Sequence, residues 1–123
     1  MNFVIEQLNS LMKSLNIEYY YLLNNAPQVI YPYVTGEFTQ NNYSFEDNSN
    51  KGDFLLELWN RGSYTPLIEL ENTIKNNFRN LRVSKGNKTM MISYNQSIPV
   101  ETNEANLFKI EIHLDISYWE GAN

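Results

Sequence analysis

The feature that most constrains the fold is a strict two-residue alternation toward the C-terminal end of the sequence. Large apolar residues occupy every second position from 108 to 118, and polar residues fill the positions between them: Lys109, Glu111, His113, Asp115 and Ser117. A strand places successive side chains on opposite faces, so this period is typical of a strand with one face on a core. The segment therefore predicts a long strand whose other face meets water or a partner.

Two segments carry the spacing of a helix instead. Between residues 3 and 15, apolar side chains recur every three or four positions, and Asn16 suits the left-handed conformation that ends many helices. A second helix is predicted to begin at Thr65 and Pro66, because threonine accepts a hydrogen bond at an N-cap and proline fits the first helical position. Its apolar stripe extends to Phe78.

Shorter segments rich in β-branched and aromatic residues predict further strands. They lie at residues 17–22, 29–39, 54–59, 81–84 and 89–94, and the last two are joined by a turn at Gly86 and Asn87. Helix, strands, helix and strands follow one another along the chain. That order predicts a single α+β domain over residues 1–123, with a largely antiparallel sheet and two helices packed on one face.

The stretch YPYVTGEFTQ at residues 31–40 has the alternation of a strand and three aromatic residues. Pro32 has no N–H for a sheet ladder, so we expect this strand at a sheet edge or Pro32 at its start. Gly36 is predicted to mark a bulge. Residues 40–52 are mostly polar and predict a flexible loop or the tip of a hairpin.

Composition narrows the class of protein. The chain has no cysteine, which fits a protein that folds in the cytoplasm, and its net charge is −5. The sequence lacks a membrane-spanning run and a secretory signal pattern, so we expect no membrane partner. An acidic balance repels phosphate, and we take the nine Lys and Arg residues as scattered; both argue against direct nucleic-acid binding.

The residues that could carry chemistry do not form a familiar motif. His113 is flanked by Glu111 and Asp115 on the polar face of the last strand, an arrangement more typical of a solvated or interface face than of a metal site. The acidic residues near positions 46, 47 and 53 do not follow a calcium-loop pattern. We therefore predict no catalytic residue, no metal and no cofactor, and expect that the protein is not an enzyme.

Aromatic residues are the more informative feature. Nine tyrosines exceed what one small core readily hydrogen-bonds, and tyrosine is enriched at protein interfaces. The residues predicted to contact another subunit or partner are Tyr31, Tyr33, Glu37, Tyr43, Phe45 and Trp119. Tyr43 and Phe45 are expected to anchor the 40–52 segment when the protein assembles, because little else in that segment offers apolar surface to bury.

Several stretches together resemble a known family. They are the N-terminal helix ending in SLNI, the YPYVTGEFTQ strand, WNRGSYTPLIELENTIKNNF, and the closing YNQSIPVETNEANLFKIEIHLDISYWE. In this order they resemble the tail-terminator, or tail-completion, proteins that join head and tail in tailed phages and phage-tail-like particles. The similarity covers most of the chain, and the part with YPY followed by GE is the most specific. Its motifs are structural, not catalytic.

The resemblance implies a structural role. Family members form a homo-oligomeric ring, expected to be a hexamer, at the head-proximal end of the tail tube, where the ring ends tube growth and meets the head connector. The implied partners are further copies of the chain, the tail-tube protein and the head-connector protein, first in the host cytoplasm and then in the particle. Two alternatives stay open: another minor tail or connector subunit, and a monomeric ligand-binding or enzymatic α+β domain.

Overall fold

The computed structural model describes residues 2–44 and 49–121. Within them the chain forms two helices and six strands. In chain order these are α1 (Asn2–Ser14), β1 (Tyr19–Tyr21), β2 (Tyr33–Ser44), β3 (Asn50–Arg61), α2 (Thr65–Phe78), β4 (Asn80–Lys85), β5 (Lys88–Val100) and β6 (Leu107–Glu120). The predicted single-domain α+β fold is confirmed.

All six strands form one sheet in the order β1-β2-β3-β6-β5-β4. The pairing of β1 with β2 is parallel, and every other pairing is antiparallel. The last strand predicted from alternation becomes β6 at the centre of the sheet, between β3 and β5. Both helices pack on one face, which leaves the opposite face without a covering layer.

The core lies between the helices and one face of the sheet. β3 and β6 contribute alternate apolar residues to it, including Phe54, Leu56 and Leu58, which have no exposed surface. α1 contributes Val4, Leu8 and Met12, and α2 contributes Leu67, Ile74 and Phe78, all of them buried. Burial of apolar side chains at helical spacing holds both helices on this face.

The helix boundaries follow the sequence prediction closely, with one difference. Asn16 adopts a φ of 59° just after α1, as its position predicted. Thr65, however, is not the N-cap of α2. The preceding residue, Tyr64, caps the helix without a side-chain hydrogen bond, and its carbonyl accepts the N–H groups of Leu67 and Ile68 at 2.9 and 3.0 Å. The helical turn thus begins one residue earlier than a threonine cap requires.

The prediction for the YPYVTGEFTQ strand is corrected in two respects. β2 is not an edge strand along its whole length, because β1 pairs with it from Val34 to Gly36. Pro32 lies just before the strand, which agrees with the alternative that it occupies the strand's start, and its missing N–H affects no ladder. Gly36 does not mark a bulge, since the register between β2 and β3 is continuous from Tyr33 to Gln40.

The segment predicted as a flexible loop or hairpin tip is mostly strand. Residues 40–44 belong to β2 and residues 50–52 to β3, and Gln40 pairs with Gly52. The register shifts between Gln40 and Ser44, where the ladder becomes irregular. A loop over the whole segment is therefore wrong, whereas the antiparallel pairing of β2 with β3 agrees with the alternative, the end of a long hairpin. Residues 45–48 lie outside the described residues.

Candidate protein-interaction surface

The sheet face turned away from the helices, here called the open face, carries polar and aromatic side chains. Alternate residues of β2, β3 and β6 point to it, and paired positions place Tyr33 beside Trp59 and Trp59 beside Lys109. Most of these side chains are half-buried by one another. The open face is thus an ordered surface of long side chains with no layer of secondary structure above it.

Four aromatic rings gather at one end of the open face. The rings of Tyr33 and Trp59 stack with centroids 6.3 Å apart and planes 20° from parallel. Tyr31 lies 5.5 Å from Tyr33, and Tyr20 meets Tyr33 edge-on at 6.3 Å. This aromatic cluster (Tyr20, Tyr31, Tyr33 and Trp59) joins β1, β2 and β3, and partial burial raises the pKa of the Tyr33 hydroxyl.

Two cations bracket the aromatic cluster. The Arg61 guanidinium lies over the Tyr31 ring at 5.6 Å, and the Lys109 ammonium lies over Trp59 at 4.7 Å. The Trp59 indole also donates a 3.4 Å hydrogen bond to the Thr35 hydroxyl. Cation–π contacts and the indole hydrogen bond fix the rings in place, so the cluster presents a rigid surface.

A charged network continues from the aromatic cluster along β6. Lys109 Nζ lies 2.5 Å from Glu57 Oε2 and 3.2 Å from Glu111 Oε2. Burial lowers the pKa of Lys109, but the hydrogen bonds to both carboxylates raise it by more, so the ammonium stays charged. His113 Nδ1 lies 3.3 Å from Asp53 Oδ2, and its Nε2 lies 4.0 Å from Glu111 Oε1.

This network has the features of a structural ion-pair chain. Its carboxylates already contact Lys109 or His113. In the described part of the chain, no group of three or more histidines and carboxylates is placed to hold a metal ion.

Replacing Lys109 by glutamine is expected to lower the free energy of unfolding by about 1–2 kcal/mol at neutral pH, because two half-buried carboxylates lose their shared donor. A lysine whose pKa is raised by folding stabilises the folded state fully below the unfolded pKa of about 10.4. This stabilisation is lost as the pH rises through the pKa of the folded state. In denaturant titrations, the difference in unfolding free energy between wild type and variant should therefore shrink as the pH rises above about 10.4.

The matched control is Lys88→Gln, whose 3.9 Å pair with Glu120 is exposed. An equal loss in both variants contradicts the prediction.

Next to the aromatic cluster, the segment between β1 and β2 exposes apolar side chains. Leu22, Leu23, Val29 and Ile30 are exposed to 57%, 62%, 46% and 56%. Leu22 also has a φ of 73°, a conformation that leucine rarely adopts, and its N–H is held by the Gly36 carbonyl at 2.7 Å. This apolar loop (residues 22–30) holds four of the seven large hydrophobic residues that the described chain leaves exposed.

The six residues predicted as interface lie in different places. Tyr31 and Tyr33 belong to the aromatic cluster, and Glu37 is exposed on β2, four residues further along the open face. Trp119 lies near the far end of β6, paired with Thr89 of β5. Tyr43 is in β2, but its side chain is outside the described part, as is all of Phe45.

Sequence reasoning missed Trp59 and Tyr20 as members of the cluster. Trp59 was assigned only to the end of a strand, and its stacking on Tyr33 depends on the register between β2 and β3. The four residues of the apolar loop were also missed. Leu22, Val29 and Ile30 fall inside the segments 17–22 and 29–39 that were predicted as strands, whereas in the structure they lie between β1 and β2.

The cations are less evenly spread than the prediction from sequence held, because five of the nine fall in one stretch. Residues 72–100 contain five of them and no carboxylate: Lys75, Arg79, Arg82, Lys85 and Lys88. Residues 14–50 contain no cation and four carboxylates: Glu18, Glu37, Glu46 and Asp47. The first stretch includes β4, and the described part of the second includes β1, and these two strands form opposite edges of the sheet.

An open cleft of about 440 Å³ lies between α1 and the start of β1. Asn9 and Lys13 line it from the helix, and Ile17, Glu18 and Tyr19 line it from the strand side. Burial raises the pKa of the Tyr19 hydroxyl, which has no hydrogen-bond partner among the described residues. This is where a small ligand would sit if the chain were a monomeric binding domain.

Comparison with protein-family models and with curated proteins returned no match. In the described residues, neither helix is long and apolar enough to cross a membrane.

Proposed function

We propose that the chain is a structural protein of a phage or phage-like tail, which assembles with further copies of itself into a ring at the head-proximal end of the tail tube. The ring ends tube growth and offers a surface to the head connector. The observation that carries the assembly role is the apolar loop (residues 22–30) beside the aromatic cluster. The tail-specific part rests on the resemblance of the YPYVTGEFTQ and WNRGSYTPLIELENTIKNNF stretches to tail-terminator proteins.

The apolar loop supports assembly because of where its residues lie. Isolated apolar side chains on a surface are ordinary, but four exposed ones in a single nine-residue segment that leads into stacked aromatic rings are typical of a protein–protein contact. Leu23 and Ile30 expose more than half of their surface. Tyr31 directly follows Ile30, and its ring contacts that of Tyr33 at the start of β2. Burying this surface against a neighbour stabilises an assembly by about 25 cal/mol per Å² of apolar area.

The test is assembly of the purified chain, alone and with its tail-tube protein, followed by sedimentation velocity and negative-stain electron microscopy. We expect rings with wild type. The variant Leu23→Ser with Ile30→Ser should lose them while keeping its circular dichroism spectrum. The matched control is Ile68→Ser, which removes an apolar residue that is 50% exposed on α2. A wild-type chain that stays monomeric and does not bind tail tubes contradicts the proposal and favours the alternative, a monomeric ligand-binding domain.

A further inference from the structure

The two edges of the sheet carry charge of opposite sign. At the β4 edge, Arg79, Arg82 and Lys85 are exposed, and none of them forms an ion pair within the described residues. This is the basic edge. At the β1–β2 edge, Glu18 and Glu37 are exposed, and neither forms an ion pair in the same residues. This is the acidic edge. Lys13 of α1 lines the same cleft as Glu18 without pairing with it.

These charges do not neutralise one another within a single chain. Five strand spacings of about 4.8 Å separate β1 from β4, so the edges are about 24 Å apart. That distance is about three times the screening length of about 8 Å at physiological salt. Each edge therefore presents its charge outward, toward whatever molecule approaches it.

We propose that the basic edge of one copy contacts the acidic edge of the next, so that copies join head to tail. This inference rests on the proposed ring, and it names the two surfaces that close it. A two-fold contact through either edge would place like charges together, which is strongly disfavoured. A head-to-tail contact places Arg82 and Lys85 against Glu18 and Glu37. Contacts of this kind repeat around a closed ring because each copy uses two different surfaces.

The apolar loop lies on the same side of the molecule as the acidic edge, since it connects β1 to β2. Charge pairing then orients the neighbour, and the apolar loop supplies surface to bury. This division of roles is common at interfaces, where charges set orientation and apolar groups supply most of the affinity. The contact should weaken as salt rises, because the screening length falls to about 3 Å at 1 M.

Charge reversal tests the pairing. The basic-edge variant is Arg82→Glu with Lys85→Glu, and the acidic-edge variant is Glu18→Lys with Glu37→Lys. Each alone has two edges of like sign, so the concentration for half-maximal assembly should rise by about 100-fold. An equimolar mixture of the two should recover assemblies larger than dimers, because copies can alternate. The matched control for the acidic-edge variant is Glu6→Lys with Glu69→Lys, which makes the same two glutamate-to-lysine changes at exposed helix positions and should assemble normally.

The outcomes separate the inference from the proposed function. If both edge variants assemble at the wild-type concentration, or if their mixture does not assemble, the edge pairing is wrong. Neither result contradicts the proposed ring. A wild-type chain that never assembles overturns the ring itself. Duplex DNA is the remaining partner for a basic edge. If wild type binds a DNA duplex and the basic-edge variant does not, while the variant assembles normally, the basic edge binds a polyanion and the edge pairing is wrong.

Discussion

Replacing Phe78 by alanine is expected to lower the free energy of unfolding by about 3–5 kcal/mol. Phe78 is the last residue of α2, and only 1% of its surface is exposed. Alanine removes the ring and leaves a cavity that the surrounding core fills only in part. A small domain has about 5–15 kcal/mol of stability in total, so this one substitution removes a large share.

The measurement is equilibrium denaturation followed by circular dichroism, and α2 supplies its own control. Ile68 lies on the exposed side of the same helix, so Ile68→Ala should change the free energy of unfolding by no more than about 0.5 kcal/mol. If Phe78→Ala and Ile68→Ala have equal effects, α2 does not pack on the sheet through this side. Unlike the edge variants, Phe78→Ala should reduce assembly only through the fraction of unfolded chain.

Local patterns predicted the elements that depend on neighbouring residues alone. The alternation at 108–118 became β6 with only a residue or two added at each end, and the stripe ending at Phe78 became α2. Both signals are regular spacings of apolar residues along the chain, so they can be recognised without knowing which segments pack against each other. The Thr65 cap failed because cap position depends on backbone angles that a preference for threonine does not fix.

The features that define the surface depend on strand order and register, which no local pattern contains. The sequence shows an acidic stretch at 14–50 and a basic stretch at 72–100, but only the order β1-β2-β3-β6-β5-β4 places β1 of the first and β4 of the second at opposite edges. Trp59 joins Tyr33 because β2 and β3 pair in one particular register. The parallel pairing of the three-residue strand β1 with β2 was likewise not predictable, because the sequence YYY does not specify which strand it pairs with.

Gly36 illustrates how a packing requirement can be mistaken for a backbone one. The residue was predicted to mark a bulge, yet its φ is not positive and the ladder around it is regular. Its lack of a side chain matters for another reason. A Cβ at this position would clash with the Tyr19 hydroxyl and lie 2.7 Å from a ring carbon of Phe54. The two aromatic rings therefore occupy the space above the glycine.

Gly36→Ala is accordingly expected to lower the free energy of unfolding by about 2–3 kcal/mol, even though alanine is otherwise the better residue in a strand. The double variant Gly36→Ala with Tyr19→Phe should recover part of this loss, because it removes the closest atom. Tyr19→Phe alone is the control: its hydroxyl has no hydrogen-bond partner in the described residues, so deleting it should not destabilise the fold. Denaturant titration of the three variants gives the coupling between the two positions. Additive effects would mean that Tyr19 does not lie over Gly36, and that β1 packs on β2 in another way.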